Sequence, residues 1–221
     1  MALVVMVAGT FLRRISRELG YALAQITVIG AAFITVFSVT EPTVRYTFGT
    51  MYVSDWLGQV LKLFIYLSVF ASLLYGRLYL IERRLEPAEY YVLMLLSMLG
   101  AMILVSAQNL LVLYLVLEMM AFALYALVAV DRYNGLRSEA AIKDFVLGAI
   151  SSGLLLYGMS MIYGATGSLD LGTVAQAVYL GAGDETVLKF GVAFLVAGIA
   201  FKFGVVPFHM WVPDVYHGAA T

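Results

Sequence analysis

Residues 187–210, VLKFGVAFLVAGIAFKFGVVPFHM, decide how the whole chain is read. The run is apolar enough to cross a bilayer as a helix, yet it carries Lys202 roughly 15 residues in, about 22 Å along at 1.5 Å per residue. An ammonium in hydrocarbon costs about 2.5–3.5 kcal/mol on insertion scales, so its presence asks for a partner or a task. Pro207 follows just over one turn later. A proline inside a helix frees the carbonyl four residues back, here that of Phe203, and bends or breaks the helix. Gly204 loosens the same turn. A charge beside an interrupted backbone is how membrane proteins usually build an ion or proton site. The spacing predicts a spanning helix broken near Pro207, with Lys202 close to the break.

The rest of the chain fits a membrane housing for that segment. Hydrophobic residues make up 63% of the 221 and charged ones 12%, with mean hydropathy +0.95. A soluble domain has about 45–50% apolar and roughly 25% charged residues, so the class is all-α integral membrane protein. There is no cysteine, which excludes disulfides, thiolate-held iron–sulfur clusters and cysteine-ligated zinc. Only His209 and His217 remain as imidazole ligands. Neither a Gly-rich phosphate loop nor a G-x-S-x-G nucleophile motif occurs. The chain is expected to carry no cofactor and no metal of its own, and no nucleic-acid partner is expected.

About seven transmembrane segments are predicted. Residues 1–12 are apolar but cover only roughly 18 Å of a core about 30 Å thick, so the first segment is short or lies partly in the interface. Residues 19–40 are a full-length run. Residues 43–53 change period around Gly49, predicting a small hairpin outside the membrane. Residues 55–80 span again, with Lys62 near enough to the start to snorkel. Pro87 opens the next helix, to about Ala107. Residues 109–130 hold a single charge, Glu118, near the middle. Asn134-Gly135 marks a turn, after which Ser138 is expected to cap a helix running to about Tyr163. Residues 171–180 suit a short interfacial helix. The segment around Lys202 completes the set. No long polar linker divides the chain, which predicts one membrane domain over 1–221, with 1–85 holding the first helices and hairpin.

Basic residues set the orientation. The first, third and fifth connections carry Arg13, Arg14 and Arg17; Arg77, Arg83 and Arg84; and Arg132 and Arg137. The second and sixth carry only Arg45 and Lys189, and the fourth none. By the positive-inside rule the odd connections face the cytoplasm or matrix.

Four residues are candidates for proton transfer: Glu118, Lys202, Lys143 and His209. Glu118 is either a neutral, hydrogen-bonded residue of a packed core or the partner of Lys202. In the second case, making and breaking the pair changes how the lysine holds its proton. Lys143 enters its helix only about 9 Å beyond the preceding connection. Glu139, four residues earlier, makes a plain helix salt bridge as natural as a relay, and Asp144 is adjacent. His209, two residues after Pro207, is either a structural histidine or part of a proton path. Asp214 and His217 lie near the aqueous end. The small residues of 148–153, GAISSG, predict close helix contact.

Three segments carry a resemblance: NLLVLYLVLEMMAFALYAL around Glu118, EAAIKDFVLGAISSGLLLYGMSMIYGATGSLDL around Lys143, and GIAFKFGVVPFHMWVPDVYHGA around Lys202. Together the chain resembles the antiporter-like membrane subunits of the proton-pumping NADH:quinone oxidoreductase, respiratory complex I. The ending PDVYHGA is most similar to the N-type, called subunit 2 in mitochondria. The resemblance implies a fold of about fourteen helices built from two inverted five-helix repeats, of which 88–221 would be the first part of one. It implies that Glu118 is the glutamate of the family's fifth helix, Lys143 a lysine of its sixth, and Lys202 the lysine of its broken seventh. It implies proton translocation without a redox centre in this chain, in the bacterial plasma membrane or mitochondrial inner membrane. The expected partners are the other membrane-arm subunits, lipids, and a second chain carrying the other half. Family members run to roughly twice this length, so the sequence would supply one half-channel, as a naturally split subunit or a truncated one. A cation/proton antiporter component and a purely structural subunit are the alternatives.

Overall fold

A computed structural model describes residues 16–38, 44–83, 87–131 and 135–219. The short first segment, Arg13, Arg14, Arg84, Arg132 and the turn residue Asn134 lie outside them. Helix α1 is Ser16–Ser38, followed by strands β1 (Arg45–Thr47) and β2 (Tyr52–Ser54). Then come α2 (Trp56–Arg83), α3 (Pro87–Leu104), α4 (Leu110–Val128), α5 (Gly135–Thr166), α6 (Leu171–Tyr179), α7 (Glu185–Lys202) and α8 (Trp211–Gly218). Within the described residues four helices are long and apolar enough to cross a membrane: α1, α2, α4 and α5. The 18-residue α3 is apolar but shorter. Helix α7, also 18 residues, is about 27 Å long and starts with Glu185 and Lys189.

The first three helices pack around Ala24, Val28, Tyr66, Leu73, Tyr91 and Leu95. A second cluster joins Leu110 of α4 to Met159 and Ile162 of α5 and Leu188 and Leu195 of α7. Large apolar side chains such as Phe33, Phe64, Leu67, Phe190 and Val196 point outward, as a bilayer-facing surface requires.

The hairpin is where the sequence placed it. Its strands pair antiparallel, Tyr46 opposite Val53, and Phe48, Gly49 and Thr50 all take positive φ in the turn. It does not stand alone. Val53 N–H donates to the Ser106 carbonyl at 2.8 Å and Gln108 N–H to Met51 at 2.9 Å. Leu110 N–H donates to Leu169 at 2.8 Å and Leu171 N–H to Gln108 at 3.0 Å. The hairpin, the α3–α4 turn and the α5–α6 turn therefore form one backbone-linked cap on a single end of the bundle. These are the second, fourth and sixth connections, the ones poor in arginine. At the other end Arg77 pairs with Glu18 at 2.6 Å, and Arg137 pairs with Asp131 and donates to the Tyr79 hydroxyl. The alternation read from the basic residues thus corresponds to two physical ends.

Two helix boundaries differ from the sequence reading. Helix α3 stops at Leu104 because the backbone of 106–108 bonds to the hairpin instead of continuing the helix. Helix α5 starts at Gly135, so Ser138 lies inside its first turn; the Arg137–Asp131 ion pair holds that turn upstream of the serine. At 32 residues, about 48 Å, α5 is longer than a hydrocarbon core about 30 Å thick.

Helix α6 is latched to the cap by Asp170, whose carboxylate accepts from the Thr173 amide at 2.8 Å and its hydroxyl at 3.0 Å. These bonds, the amide's first, hold the Asp170 carboxyl below the usual carboxylate range. With the folded value below the unfolded one, the latch is complete above the ordinary aspartate range and is lost as pH falls through the depressed folded value. The protection of the first-turn amides of α6, their exchange relative to the intrinsic rate at each pH, should fall on acidification through that window. Asp170→Asn should remove most of this pH dependence; an unchanged profile in that variant would assign the effect elsewhere.

Candidate functional site

Glu118 sits near the middle of α4, about 12 Å from its first residue. Asn109 starts that helix by accepting from the Leu111 amide at 2.9 Å. Next to α4 runs α5, which packs antiparallel on α7 along small residues. Ser151 and Ser152 are buried at mid-length, and Ser151 Oγ donates to the Gly198 carbonyl at 2.9 Å. A Cβ on Gly158 would lie 2.6 Å from the Leu195 nitrogen and 2.7 Å from the Gly191 carbonyl oxygen. A Cβ on Gly198 would lie 2.5 Å from Leu155 Cγ. Glycine at these positions lets the two backbones touch. Of the 148–153 stretch, Gly148, Ser151 and Ser152 make close contacts, whereas Gly153 faces open space.

The helix carrying Lys202 ends at Lys202 itself. Its terminus is a Schellman arrangement: Gly204, at φ +62°, donates to the Phe201 carbonyl at 2.9 Å, and Val205 donates to Ala200 at 2.9 Å. The break is therefore made by Gly204, and the Val206–Pro207 peptide, which is cis, lies beyond it. The helix is thus broken near Pro207 with Lys202 close to the break, as the spacing predicts, and Gly204 rather than Pro207 ends it. The Phe201 carbonyl also accepts from the Trp211 indole at 3.1 Å, and the Trp211 ring stacks on Phe201 at 6.0 Å. Lys202 thus occupies the last turn, where the helix dipole favours a cation.

There its Nζ reaches Glu118 Oε1 at 3.4 Å and Ser152 Oγ at 3.4 Å. Ser152 Oγ donates to the same carboxylate oxygen in a short bond. The lysine and glutamate side chains are 19% and 17% exposed. Three helices thus converge on a partly enclosed ammonium–hydroxyl–carboxylate triangle at mid-bundle. Ser152 was not singled out from the sequence, where it read as a packing residue; no one-dimensional signal marks a hydroxyl that bridges two other helices.

The other candidates lie apart from this triangle. Lys143 is exposed and pairs with Glu139 at 3.0 Å and with Asp214 of α8 at 3.1 Å, so it makes the plain helix bridge and also ties α5 to α8. His209 is exposed in the segment between α7 and α8, and no hydrogen bond or ion pair among the described residues joins its side chain to the triangle. His217 is exposed in the last turn of α8. Asp144, one residue from Lys143, is buried on the inward side of α5, within electrostatic reach of Lys202. The sequence reading noted only its adjacency. Among the described residues no group of three His, Cys, Asp or Glu could hold a metal ion.

The family model described as NADH:quinone oxidoreductase/Mrp antiporter, TM, matches residues 107–221. The chain is 57% identical, over its full length, to NADH-quinone oxidoreductase subunit N of Azoarcus sp. strain BH72, of which it covers 45%. A chain of respiratory complex I from Thermus thermophilus superposes with TM-score 0.67 at 32% identity, covering 99% of this chain and 46% of that one. A chain of the archaeal membrane-bound sulfane sulfur reductase superposes with TM-score 0.81 at 26% identity, covering 99% and 45%. The chain spans about 45% of the length of the curated relatives it matches. With several apolar helices and matches of this extent, it is a multi-pass membrane protein, and it belongs to the NADH:quinone oxidoreductase/Mrp antiporter transmembrane family.

Proposed function

We propose that this chain serves as part of subunit N in the membrane arm of an NADH:quinone oxidoreductase, where the Glu118–Lys202 pair carries protons through a half-channel. The observation that supports this most is the triangle at the end of α7: an ammonium 3.4 Å from a carboxylate, beside a helix break. Such a pair has two electrical states. In contact, the carboxylate stabilises the charged lysine; displaced, it no longer does, and the lysine releases or takes up a proton. The break after Lys202 ends the regular backbone there, so the last turn of α7 can shift without dragging a continuous helix with it. Quinone chemistry elsewhere in the assembly supplies the driving change. Lys143 and His209 serve as steps toward the aqueous ends of the path. The partners are the neighbouring membrane-arm subunits, lipids, and the segment corresponding to the remaining length of the relatives.

In the assembled enzyme, Lys202→Ala and Glu118→Gln should each lower proton translocation per electron pair, since each removes an acid–base group from the path. Proton uptake or release by reconstituted vesicles measures it. Wild-type stoichiometry in fully assembled variants would reduce the chain to a structural element. The family name also covers antiporters, and a chain of the Mrp complex from Dietzia sp. shares this fold. Co-purification of flavin and iron–sulfur subunits with the complete protein separates the oxidoreductase from the antiporter reading.

A further inference from the structure

A second buried cation lies far from Lys202, under the hairpin. Lys62, about 9 Å into α2, is only 6% exposed. The sequence suggested that it snorkels to water; instead its Nζ donates to the Tyr52 hydroxyl of β2 at 2.8 Å and lies 5.0 Å from the centre of that ring. No ion pair to Lys62 occurs among the described residues. The groups around it come from every element packed at this end. Asp55, just before α2, and Gln59, Lys62 and Tyr66 of α2 follow one another at helical spacing. The Asp55 carboxylate is engaged by the Gly58 amide at 2.9 Å, and Gln59 donates to Ser54 at 3.2 Å. On α1, Thr35 lies 3.1 Å from the Tyr66 hydroxyl. From the α3–α4 turn comes Ser106, fully buried, beside the Tyr52 hydroxyl. A buried ammonium with a neutral phenol as its acceptor is costly as a structural device, since no opposite charge offsets its desolvation.

We propose that Lys62 and Tyr52 form a second proton-exchange site, independent of Glu118–Lys202, that equilibrates with water on the hairpin side of the membrane. Tyr52 is half-buried and belongs to the hairpin that caps this end. In the exchange, the Lys62 ammonium passes a proton to the Tyr52 oxygen while the phenol releases its own proton to water. Lysine is left neutral, the phenol is restored, and one proton enters the hairpin-side solution; the reverse steps reload the site. The 2.8 Å separation allows the transfer without movement of either heavy atom. Burial pushes the Tyr52 phenol up, but the Lys62 hydrogen bond and charge, with the neighbouring Ser106, outweigh it and leave the phenol more acidic than an ordinary tyrosine.

The test uses the complete protein in its native membrane assembly, carrying 3-fluorotyrosine at position 52 or, as a control on the same hairpin, at the exposed Tyr46. The fluorine signal at 52 should titrate at lower pH than that at 46, and Lys62→Met should erase the difference. This arm does not depend on transport. In sealed vesicles, Lys62→Arg keeps the cation but cannot release a proton, and Tyr52→Phe keeps the ring without the hydroxyl. Both should flatten the dependence of proton translocation on hairpin-side pH relative to the unaltered protein. Equal titration at 52 and 46, or a wild-type pH response in Lys62→Arg, overturns the proposal. Glu118→Gln should leave the fluorine titration untouched, so failure of the half-channel reading and failure of this one give different results.

Discussion

Gly158→Val should pull α7 away from α5 and abolish whatever the Lys202 triangle does, although no atom of Gly158 touches it. The neighbours of a Cβ at 158 are backbone: the Leu195 nitrogen at 2.6 Å and the Gly191 carbonyl oxygen at 2.7 Å. Backbone cannot rotate aside as a side chain can, so the helices must separate by about 1 Å to restore normal contact. Overpacking of this kind costs about 1–3 kcal/mol, before the loss of neighbouring contacts is counted. Two of those contacts matter for the site. The Ser151–Gly198 bond at 2.9 Å holds α7 in register, and the Lys202–Glu118 contact, already 3.4 Å, has little margin. Thermal unfolding of the assembled protein should fall by several degrees, together with proton translocation. The control lies on the same helix. Gly153 has no heavy atom within 4 Å of a built Cβ, so Gly153→Ala should be neutral or stabilising by up to about 1 kcal/mol through helix propensity. Equal damage from both substitutions would deny that α5 and α7 meet along Gly158.

Lys202→Met should destabilise the fold more than a surface lysine change could, and Glu118→Gln should rescue it. Removing the ammonium leaves a largely enclosed carboxylate with Ser152 as its hydrogen-bond donor among the described residues. Breaking a buried pair on one side costs about 3–5 kcal/mol, and the 17% and 19% exposures place this pair at the lower end of that range. Replacing both partners by neutral groups of similar shape is close to neutral. The double variant should therefore recover most of the lost stability while remaining unable to exchange a proton at position 202. A double-mutant cycle on unfolding midpoints measures the coupling. Strict additivity would mean that the two charges do not act as a pair.

The membrane class, the hairpin and the Glu118–Lys202 pair were legible because each breaks a local pattern. A lone charge in an apolar run, or a Gly-centred β-branched segment between apolar runs, is visible without knowing the fold. What stayed hidden depends on distant residues. Pro207 drew the eye as the helix breaker, but Gly204 ends α7 through its positive φ and the Schellman bonds. Ser152 became a site residue only when α4 and α7 closed around it. Lys143 found Asp214, 71 positions away, a pairing that no spacing rule suggests. Lys62, judged by its distance from a helix end, was assigned to water because the hairpin that covers it comes from a different element.

The backbone-linked cap fixes more than the position of the hairpin. Helix α7 leaves that end packed against α5 along Gly158 and Gly191, while its far end runs into the irregular stretch before α8. The Lys202 end is held as well: Ser151 bonds to Gly198, the Trp211 indole bonds to the Phe201 carbonyl, and Lys202 contacts Glu118. Both ends of α7 are thereby fixed, and the spacing between the cap and the Lys202–Glu118 contact is set by one unbroken helix about 27 Å long.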